Sequence, residues 1–204
     1  IKNGSKILDV GSDPFIFEDL LSNIKEIKID SLDCSSEWAE SYCKYRGHNL
    51  LACNIEDSQS RKKIKLNSYD IIVMTELFEH LRIDIIGLFE YLFENSSKGT
   101  LLYITTPNFF TIEKIFFSLV KFRSGPIPLN QWLKLRKFGH MGHIREYTMN
   151  EVDEILEYVG FKKISAGYRN IDMPKKVKLV KRIIYFIHSI LVIFCPRFSQ
   201  DFFC

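Results

Sequence analysis

Strand-like and helix-like runs alternate along almost the whole chain, and this alternation constrains the fold more than any other feature of the sequence. Each apolar run of strand length is followed by a longer segment with helical periodicity. Such alternation is typical of right-handed βαβ units, whose crossovers place helices on the faces of a parallel sheet. The sequence therefore predicts an α/β fold with helices on the faces of a mostly parallel sheet.

The predicted elements follow the apolar runs. Strands are expected at 6–10, 26–30, 49–53, 70–75, 99–105 and 161–168, and a seventh begins near residue 200. Helices are expected at 15–24, 35–46, 56–63, 77–94, 111–122, 148–159 and 175–195. The segment 123–142 interrupts the alternation, because three glycines and two prolines surround Trp132, and it is predicted to be an inserted loop or lid.

The chain has the size of one domain. Its 204 residues, of which 46% are apolar, suffice for one well-buried α/β domain and are too few for two. A single domain is therefore predicted over 1–204, and the abrupt apolar end and the missing leading helix indicate a fragment trimmed at both ends. The five cysteines form no C-x-x-C pair and no even set, so the expected compartment is the reducing cytoplasm.

Basic residues are concentrated in two places, although the net charge is only +3. No acidic residue lies between Glu113 and Glu146, and five lysines and arginines fall between 175 and 182. The apolar run 183–195, within the helix predicted at 175–195, has about two thirds of the length of a membrane span, so an interfacial helix and a core helix are both open. The charges favour an anionic membrane surface or a phosphorylated substrate, and a solvated face is the alternative.

The first predicted strand ends in Asp9-Val10-Gly11-Ser12. At the carboxyl end of a parallel strand, a glycine such as Gly11 lets the backbone approach a ligand, and the next helix presents free N–H groups. Asp9 supplies a carboxylate for hydroxyls or amines. The pattern predicts a site for a nucleotide-like cofactor, and an ordinary tight turn is the alternative.

Two polar residues lie at the carboxyl ends of the second and third predicted strands. Asp30 closes the second strand about twenty residues after Gly11, a spacing that brings its carboxylate within reach of both ribose hydroxyls of an adenosine ligand. A helix N-cap is the alternative role for this acidic residue. Asn54 follows the third strand and offers its amide to an adenine edge.

The densest cluster of reactive side chains follows the fourth predicted strand. Glu76, Glu79 and His80 occur there at helical spacing and are expected to face one way. His140 and His143 precede a later predicted helix. Two carboxylates and two neutral imidazoles are suitable ligands for Mg²⁺, Mn²⁺, Fe²⁺ or Zn²⁺. In the structural alternative, Glu79 and His80 hold the lid segment by hydrogen bonds, and His143 pairs with a backbone carbonyl.

The order of these motifs resembles that of class I S-adenosylmethionine-dependent methyltransferases over nearly the whole chain. The resemblance rests on ILDVGSDP, EIKID, ACNIED, YDIIVMTELFEHL, GTLLYITTPN and HIREYTMNEVDEILEYVGF. It is nearest to the broad group that acts on small molecules, sugars and lipid-linked glycans. It implies an α/β, Rossmann-like three-layer sandwich with a seven-stranded, mostly parallel sheet and an antiparallel last strand. It also implies S-adenosylmethionine lying across the carboxyl ends of strands one, two and four.

The resemblance also implies roles for the cofactor residues. In the family, the carboxylate that matches Asp9 lies near the methionine amino group, and the acid that matches Asp30 holds the ribose. The position of Asn54, usually an aspartate, lies near the adenine. The other predicted cofactor residues are Gly11 and Ser12 in the turn and Thr75 and Glu76 under the methionine part.

The glycine turn departs from the family pattern. The family usually reads D-x-G-x-G-x-G, whereas Asp13 and Phe15 replace the second and third glycines here. This departure, together with the basic apolar helix at 175–195, motivates a second hypothesis. In it, the protein is a non-catalytic, membrane-associated binding protein on a degenerate methyltransferase fold.

The Glu-His segment has a more specific counterpart. ELFEHL followed by GHIREYT is similar to the Glu-x-x-Glu-His plus distant His pattern of small-RNA terminal 2′-O-methyltransferases and ubiquinone-pathway O-methyltransferases. The resemblance implies a divalent metal ion bound by Glu76, Glu79, His80 and His143.

The predicted activity is methyl transfer to a small-molecule, sugar or lipid-linked acceptor, chiefly O-methylation. The protein aligns donor and acceptor in a dry pocket, and His143 or His80, with Glu79 in the same catalytic group, removes a hydroxyl proton. A bound metal ion that lowers the pKa of the hydroxyl is the alternative. Glu146 and Tyr147 are expected to shape the acceptor side. A nucleotide-dependent oxidoreductase is disfavoured because it needs the fuller glycine set, and a nucleic-acid partner because no RNA-binding module accompanies the domain.

Overall fold

The computed structural model describes residues 2–21, 26–122, 128–138, 142–169, 189, 192–193 and 195–204. The strands are β1 (Lys6–Val10), β2 (Lys28–Asp33), β3 (Asn49–Ala52), β4 (Ile71–Thr75), β5 (Leu101–Pro107), β6 (Gly167–Arg169) and β7 (Asp201–Phe203). The α-helices are α1 (Ile16–Leu21), α2 (Glu37–Arg46), α3 (Ser58–Arg61), α4 (Ile85–Asn95), α5 (Ile112–Lys121), α6 (Pro128–Phe138) and α7 (Met149–Val159). The chain divides into a first compact unit, Ile1–Thr105 with Ile155–Lys162, and a second, Thr106–Glu154 with Lys163–Cys204.

The seven strands form one sheet in the order β3-β2-β1-β4-β5-β7-β6. β1 to β5 pair in parallel, and β6 and β7 pair with each other antiparallel. The predicted fold class, an α/β sandwich with a mostly parallel sheet, is confirmed. The strand order reverses between β1 and β4, and open α/β sheets form their ligand crevice at the carboxyl ends of the strands at such a reversal.

β1 and β4 form the centre of the first unit. Ile7, Leu8 and Val10 in β1 and Ile72 and Met74 in β4 have almost no exposed surface. Strands that are apolar on both faces are typical of a parallel sheet covered by helices. The nearly continuous apolar runs of the sequence therefore correspond to the buried centre of the sheet.

Phe15, which replaces a family glycine, belongs to the apolar layer against α2. Its fully buried ring stacks with the rings of Trp38 and Tyr42 at centroid distances of 5.7 and 5.6 Å. The same ring belongs to a buried cluster with Ala39 and Cys43. The phenylalanine therefore contributes to the core of the first unit.

The prediction of a single helix over 77–94 is wrong. The chain forms a 3₁₀ helix at Phe78–His80, and α4 starts only after Asp84, which has a φ of +42° and accepts a hydrogen bond from the N–H of Gly87 at 3.0 Å. A carboxylate that caps the free N–H groups begins a new helix. Glu76, with a φ of +53°, also lies outside the α-helical region.

Two other elements are shorter than predicted. The helix expected at 56–63 is the single turn Ser58–Arg61, and the strand expected at 161–168 is reduced to Gly167–Arg169. In both places the local sequence favours a longer helix or strand than the structure forms. Pairing with neighbouring elements sets where each element ends.

The segment 123–142 contains a regular helix where an irregular loop was predicted. α6 begins at Pro128, a residue suited to the first helical turn because the N–H that it lacks would have no intrahelical partner there. The helix predicted at 175–195 lies almost entirely outside the described residues. Within the described ranges, no helix is both long and apolar enough to cross a membrane.

Asn108 ties together the second unit at the end of β5. Its Nδ2 donates to the carbonyls of Arg197 and Ser199, both at 2.8 Å, and its Oδ1 accepts from the N–H of Phe110 at 3.0 Å. Its own N–H donates to the carbonyl of Gln200 at 2.7 Å. A buried amide with this many partners fixes the backbone around it, so the start of α5 and the approach to β7 are held to the end of β5.

Candidate functional site

The turn after β1 is built around Gly11, which has a left-handed φ of +75°. Its N–H donates to the carbonyl of Leu32 at 2.8 Å and so ties the turn to β2. The side chain of Leu77 lies where a larger residue would project, because a Cβ on Gly11 would be 2.8 Å from Leu77 Cδ1. Glycine therefore meets two requirements here, a left-handed backbone and a close approach.

Ser12 continues the turn as a buried residue. Its carbonyl accepts a hydrogen bond from the N–H of Phe15, and its Oγ has no hydrogen-bond partner among the residues that the structure describes. A buried hydroxyl without a partner costs free energy unless a ligand or an ordered water satisfies it. This observation keeps Ser12 a candidate for contact with a bound cofactor.

The acid that ends β2 is Asp33. In the parallel register, Asp30 lies beside Leu8 in the middle of β1, whereas β2 continues for three more residues. Asp33 Oδ2 accepts from the N–H of Asp13 in the turn at 2.9 Å, and its carbonyl accepts from the N–H of Cys53 after β3 at 2.8 Å. Asp33 is therefore the carboxylate at the point where the ends of β1, β2 and β3 meet.

Asp30 has a different environment from the one predicted. Its Oδ1 accepts from Asn49 Nδ2 at 2.8 Å, and its Oδ2 contacts the Tyr69 hydroxyl at 2.7 Å and Lys6 Nζ at 3.2 Å. Burial alone would raise the pKa of Asp30, but these hydrogen bonds and the charge of Lys6 lower it. The prediction that Asp30 closes β2 is wrong, because β2 continues to Asp33.

Asn54 lies exposed just after β3, where sequence analysis placed it. Its Oδ1 accepts from the N–H of Glu56 at 3.0 Å, and its carbonyl accepts from the N–H of Asp57 at 3.0 Å. This Asx turn orients the amide by its oxygen. Its role toward an adenine edge stays a prediction.

Glu56 holds the loop that leads into α4. Its Oε1 accepts from the N–H groups of Arg82 and Ile83, the latter at 2.8 Å, and its Oε2 lies 3.3 Å from the Arg82 guanidinium. We expect Glu56→Ala to lower the free energy of unfolding by about 1–2 kcal/mol, because two backbone donors lose their acceptor. Urea denaturation measures this change. Glu90→Ala, at an exposed position on α4, is the control with an expected change below about 0.5 kcal/mol, and equal losses in the two variants would contradict the assignment.

A second buried carboxyl lies next to Asp9 beneath the turn. Asp9 and Glu18 are both buried and interact with each other, and the Glu18 Oε1 atom accepts from the Ser31 hydroxyl. Within the described part of the chain, Asp9 Oδ1 and Glu18 Oε2 have no donor. Burial first, and then the charges of Glu18 and Asp33, raise the pKa of Asp9 to about 8. Burial also raises the pKa of Glu18. A proton held on Asp9 would let its carboxyl donate a hydrogen bond to Glu18.

Thr75 ends β4 and Glu76 follows it, at the carboxyl end of the strand. The N–H of Glu76 donates to the carbonyl of Thr105 at 2.9 Å, and Glu76 Oε1 accepts from Thr105 Oγ1, also at 2.9 Å. These bonds fix the residue after β4 to the neighbouring strand. Both residues are thus held at the edge predicted for the cofactor, and their roles stay predictions.

Glu79 and His80 differ sharply in exposure although they are adjacent. Glu79 is fully buried and His80 is exposed, with His80 Nε2 3.8 Å from Glu79 Oε1. The one-way helical arrangement with Glu76 does not form, because no α-helix begins there. A carboxylate and an imidazole suit a divalent metal ion, but His143 belongs to the second unit, so the four-residue metal site stays a prediction.

His143 is paired with Glu146 in the second unit. His143 Nδ1 lies 3.0 Å from Glu146 Oε1, while Lys114 Nζ contacts Glu146 Oε2 and donates to the carbonyl of Asn108 at 2.8 Å. Burial alone would raise the pKa of Glu146, but the hydrogen bonds from His143 and Lys114 lower it. The sequence predicted His143 as a site residue but not that a carboxylate orients its ring.

Sequence reasoning missed Asp33 and Glu18. Asp33 had no clear local signal, because the alternation of apolar residues at Ile27 and Ile29 is interrupted at Ser31. Glu18 had none, since an acidic residue in a short helix is normally exposed. Its burial follows from the position of α1 over the end of β2, where Ser31 bonds to it.

A family model described as a methyltransferase domain matches residues 1–166, which is well over half of the chain. The chain therefore belongs to this family. It is a class I, Rossmann-like, S-adenosylmethionine-dependent methyltransferase, so the predicted family, enzyme class and cofactor are confirmed, and the non-catalytic hypothesis is not retained. A search of the curated proteins finds no match.

Solved structures of low sequence identity share the fold. A SAM-dependent methyltransferase from Archaeoglobus fulgidus has a TM-score of 0.60 at 17% identity, over 98% of this chain and 84% of that one. One chain of a Haloferax volcanii complex that contains the Trm112 methyltransferase activator has a TM-score of 0.64 at 14% identity, over 100% and 82%. Phosphoethanolamine N-methyltransferase 2 of Haemonchus contortus, solved with S-adenosyl-L-methionine, has a TM-score of 0.59 at 13% identity, and this chain spans 48% of its length.

Proposed function

We propose that this enzyme transfers the methyl group of S-adenosylmethionine to a hydroxyl oxygen of a small-molecule, sugar or lipid-linked acceptor. The observation that carries the choice of oxygen is the imidazole of His143, 3.0 Å from the carboxylate of Glu146. An imidazole changes its protonation near neutral pH and is therefore suited to remove the proton of a hydroxyl. S-adenosylmethionine supplies an activated methyl group, so the remaining task of the protein is alignment in a site that excludes water.

On the cofactor side, we assign to Asp33 the ribose contact that sequence analysis gave to Asp30. The support is its place at the end of β2 beside the Gly11 turn and its hydrogen bond from the N–H of Asp13. Gly11 and Ser12 line the turn in this proposal. The other predicted contacts are retained at Asp9, Asn54, Thr75 and Glu76.

On the acceptor side, His143 is the general base, and Glu79 with His80 is the second acid–base pair. α6 covers the acceptor, supported by the exposed apolar side chains of Leu129 and Trp132 within a basic segment. We place the reaction in the cytoplasm, at the inner face of a membrane if the acceptor is lipid-linked. The five free cysteines, all in described parts of the chain, and the basic run before 183 support this placement.

The cofactor assignment is tested by two aspartates of the same strand. We expect Asp33→Ala to weaken S-adenosylmethionine binding by about 10- to 150-fold, because hydrogen bonds to a charged acceptor are worth about 1.5–3 kcal/mol. Asp30→Asn is expected to leave the dissociation constant within about twofold and to lower stability instead. Isothermal titration calorimetry measures both. A larger loss of affinity in Asp30→Asn than in Asp33→Ala would overturn the assignment.

The reaction itself is tested with a panel of hydroxylated acceptors: catechols, simple sugars and lipid-linked glycans in vesicles. Mass spectrometry follows the formation of S-adenosylhomocysteine and the mass gain of the acceptor. O-methylated product that is lost in His143→Ala supports the proposal. Methylation confined to amine or carbon acceptors in a parallel panel would overturn it.

A further inference from the structure

Lys114, Glu146 and His143 form a continuous chain of polar contacts in the second unit. Lys114, in the first turn of α5, donates through Nζ to the carbonyl of Asn108 and to Glu146 Oε2. The other oxygen of Glu146 lies 3.0 Å from His143 Nδ1. Glu146 therefore uses one oxygen for the lysine and the other for the imidazole.

The lysine is itself well anchored. Thr111 caps α5 by accepting a hydrogen bond from the N–H of Lys114 at 3.3 Å. The carbonyl that receives Nζ belongs to Asn108, whose side chain is bonded to three further backbone groups. Lys114 therefore holds the Glu146 carboxylate in place relative to Asn108, the residue that follows β5.

The contact also selects one form of the imidazole. A carboxylate that faces an ammonium group is a hydrogen-bond acceptor only, so the hydrogen on the line between Glu146 and His143 belongs to Nδ1. In a neutral ring the basic nitrogen is then Nε2, because one nitrogen carries the hydrogen and the other the lone pair.

We propose that Glu146, held by Lys114, is a positioning residue that fixes the ring orientation and the tautomer of His143, so that Nε2 is the nitrogen that receives the proton of the acceptor hydroxyl. The inference rests on the proposed function for the identity of the proton donor. The proton moves from the hydroxyl oxygen to Nε2 as that oxygen bonds to the methyl carbon and the sulfonium carbon–sulfur bond breaks, so atoms and charges balance. The positioning itself has a readout that needs no acceptor.

That readout is the nitrogen spectrum of the histidines. We expect the full chain labelled with ¹⁵N-histidine, at a pH above the imidazole range, to show His143 with its hydrogen on Nδ1, the resonance being assigned by its loss in His143→Gln. In Glu146→Gln the preference should fall or reverse, because the new amide can also donate, and in Lys114→Met it should weaken. Glu151→Gln, which changes a nearby carboxylate bonded to Thr148 and Arg145, should leave the tautomer unchanged.

The kinetic arm uses the best acceptor of the hydroxyl panel. Glu146→Gln should lower kcat about tenfold, within the range of a general base that loses its orientation, with KM for S-adenosylmethionine changed less than about twofold. Glu146→Asp should recover part of the loss, and Glu146→Gln should add nothing in a His143→Ala background. A lower melting temperature with an unchanged tautomer and kcat, or a hydrogen on Nε2 in the unmodified protein, overturns the inference. A Nδ1 hydrogen together with methylation of amines or carbon alone supports the positioning and rejects the proposed hydroxyl chemistry.

Discussion

Gly11→Ala should weaken S-adenosylmethionine binding by at least about a hundredfold, or about 2.7 kcal/mol, and Gly11→Val should abolish measurable binding. Two costs add at this position. The φ of +75° is unfavourable for any residue with a Cβ, and that Cβ would lie 2.8 and 2.9 Å from the two terminal carbons of Leu77. Either the turn or the Leu77 side chain must move. A shift of the turn would also disturb the hydrogen bond from the N–H of Gly11 to the carbonyl of Leu32 in β2.

Gly47 provides a matched control for the backbone term. It has a φ of +74° at the end of α2, and a Cβ there would meet nothing within 4 Å. Gly47→Ala should therefore carry the same conformational penalty of about 1 kcal/mol in stability and leave the dissociation constant within about twofold. Isothermal titration calorimetry with S-adenosylmethionine compares the two variants.

The collision itself is tested by removing its partner. Leu77→Ala in the Gly11→Ala background should recover part of the lost affinity, because the contact that displaces the turn is gone. If Gly11→Ala binds S-adenosylmethionine as well as Gly47→Ala does, the turn after β1 does not hold the cofactor, and the assignment of the site is wrong.

Stability should fall as the pH rises from about 5 to about 8.5, and Asp9→Asn should remove most of that fall. The pKa of Asp9 is raised from 3.8 to about 8, chiefly by burial and then by Glu18 and Asp33. In this interval the folded state holds a proton that the unfolded state has released. The contribution of Asp9 is therefore fully present below its unfolded pKa and is lost as the pH passes through its folded pKa.

The expected size follows from the interval. Each pH unit changes the free energy of unfolding by about 1.4 kcal/mol per proton, so Asp9→Asn should be more stable than the unmodified protein by about 2–4 kcal/mol at pH 8.5. At pH 5 the two should differ little, since the asparagine amide is neutral, as the protonated carboxyl is, and can also donate a hydrogen bond. Urea denaturation at a series of pH values gives both numbers.

Asp57→Asn makes the same chemical change at an exposed helix cap. Hydrogen bonds from Ser60 and Gln59 lower the pKa of Asp57, and asparagine caps a helix about as well as aspartate. This variant should therefore show no stabilisation at pH 8.5. If Asp9→Asn and Asp57→Asn have the same pH profile, the folded protein does not hold a proton on Asp9 above pH 5.

Much of the fold could be predicted because the signals are local or repeat along the chain. The alternation of apolar strands and helices predicted the parallel sheet, since a βαβ crossover has one favoured hand and buries both faces of the strands. Gly11 could be recognised because no other residue combines a left-handed φ with a missing Cβ. His143 was predicted as a site residue by residue type, and the structure adds Glu146 as the carboxylate that contacts its ring.

The errors arose where the ends of elements depend on contacts distant in sequence. β2 runs to Asp33 because its register with β1 and its bond to Cys53 carry it past Asp30. The helix expected from 77 is broken because the backbone of Glu76 is bonded to Thr105 on the neighbouring strand. Helical spacing within a segment carries no information about such bonds.

By itself the sequence determined the α/β class, the glycine turn and the residue types available for chemistry, because hydrophobic periodicity and backbone freedom are properties of neighbouring residues. Only the tertiary structure decided which carboxylate ends β2, that Glu18 lies buried against Asp9, and that Lys114 holds Glu146 against His143. These pairs are separated in the chain by up to 32 residues. Their hydrogen bonds exist only after strand pairing and helix packing have brought the groups together and excluded water from them.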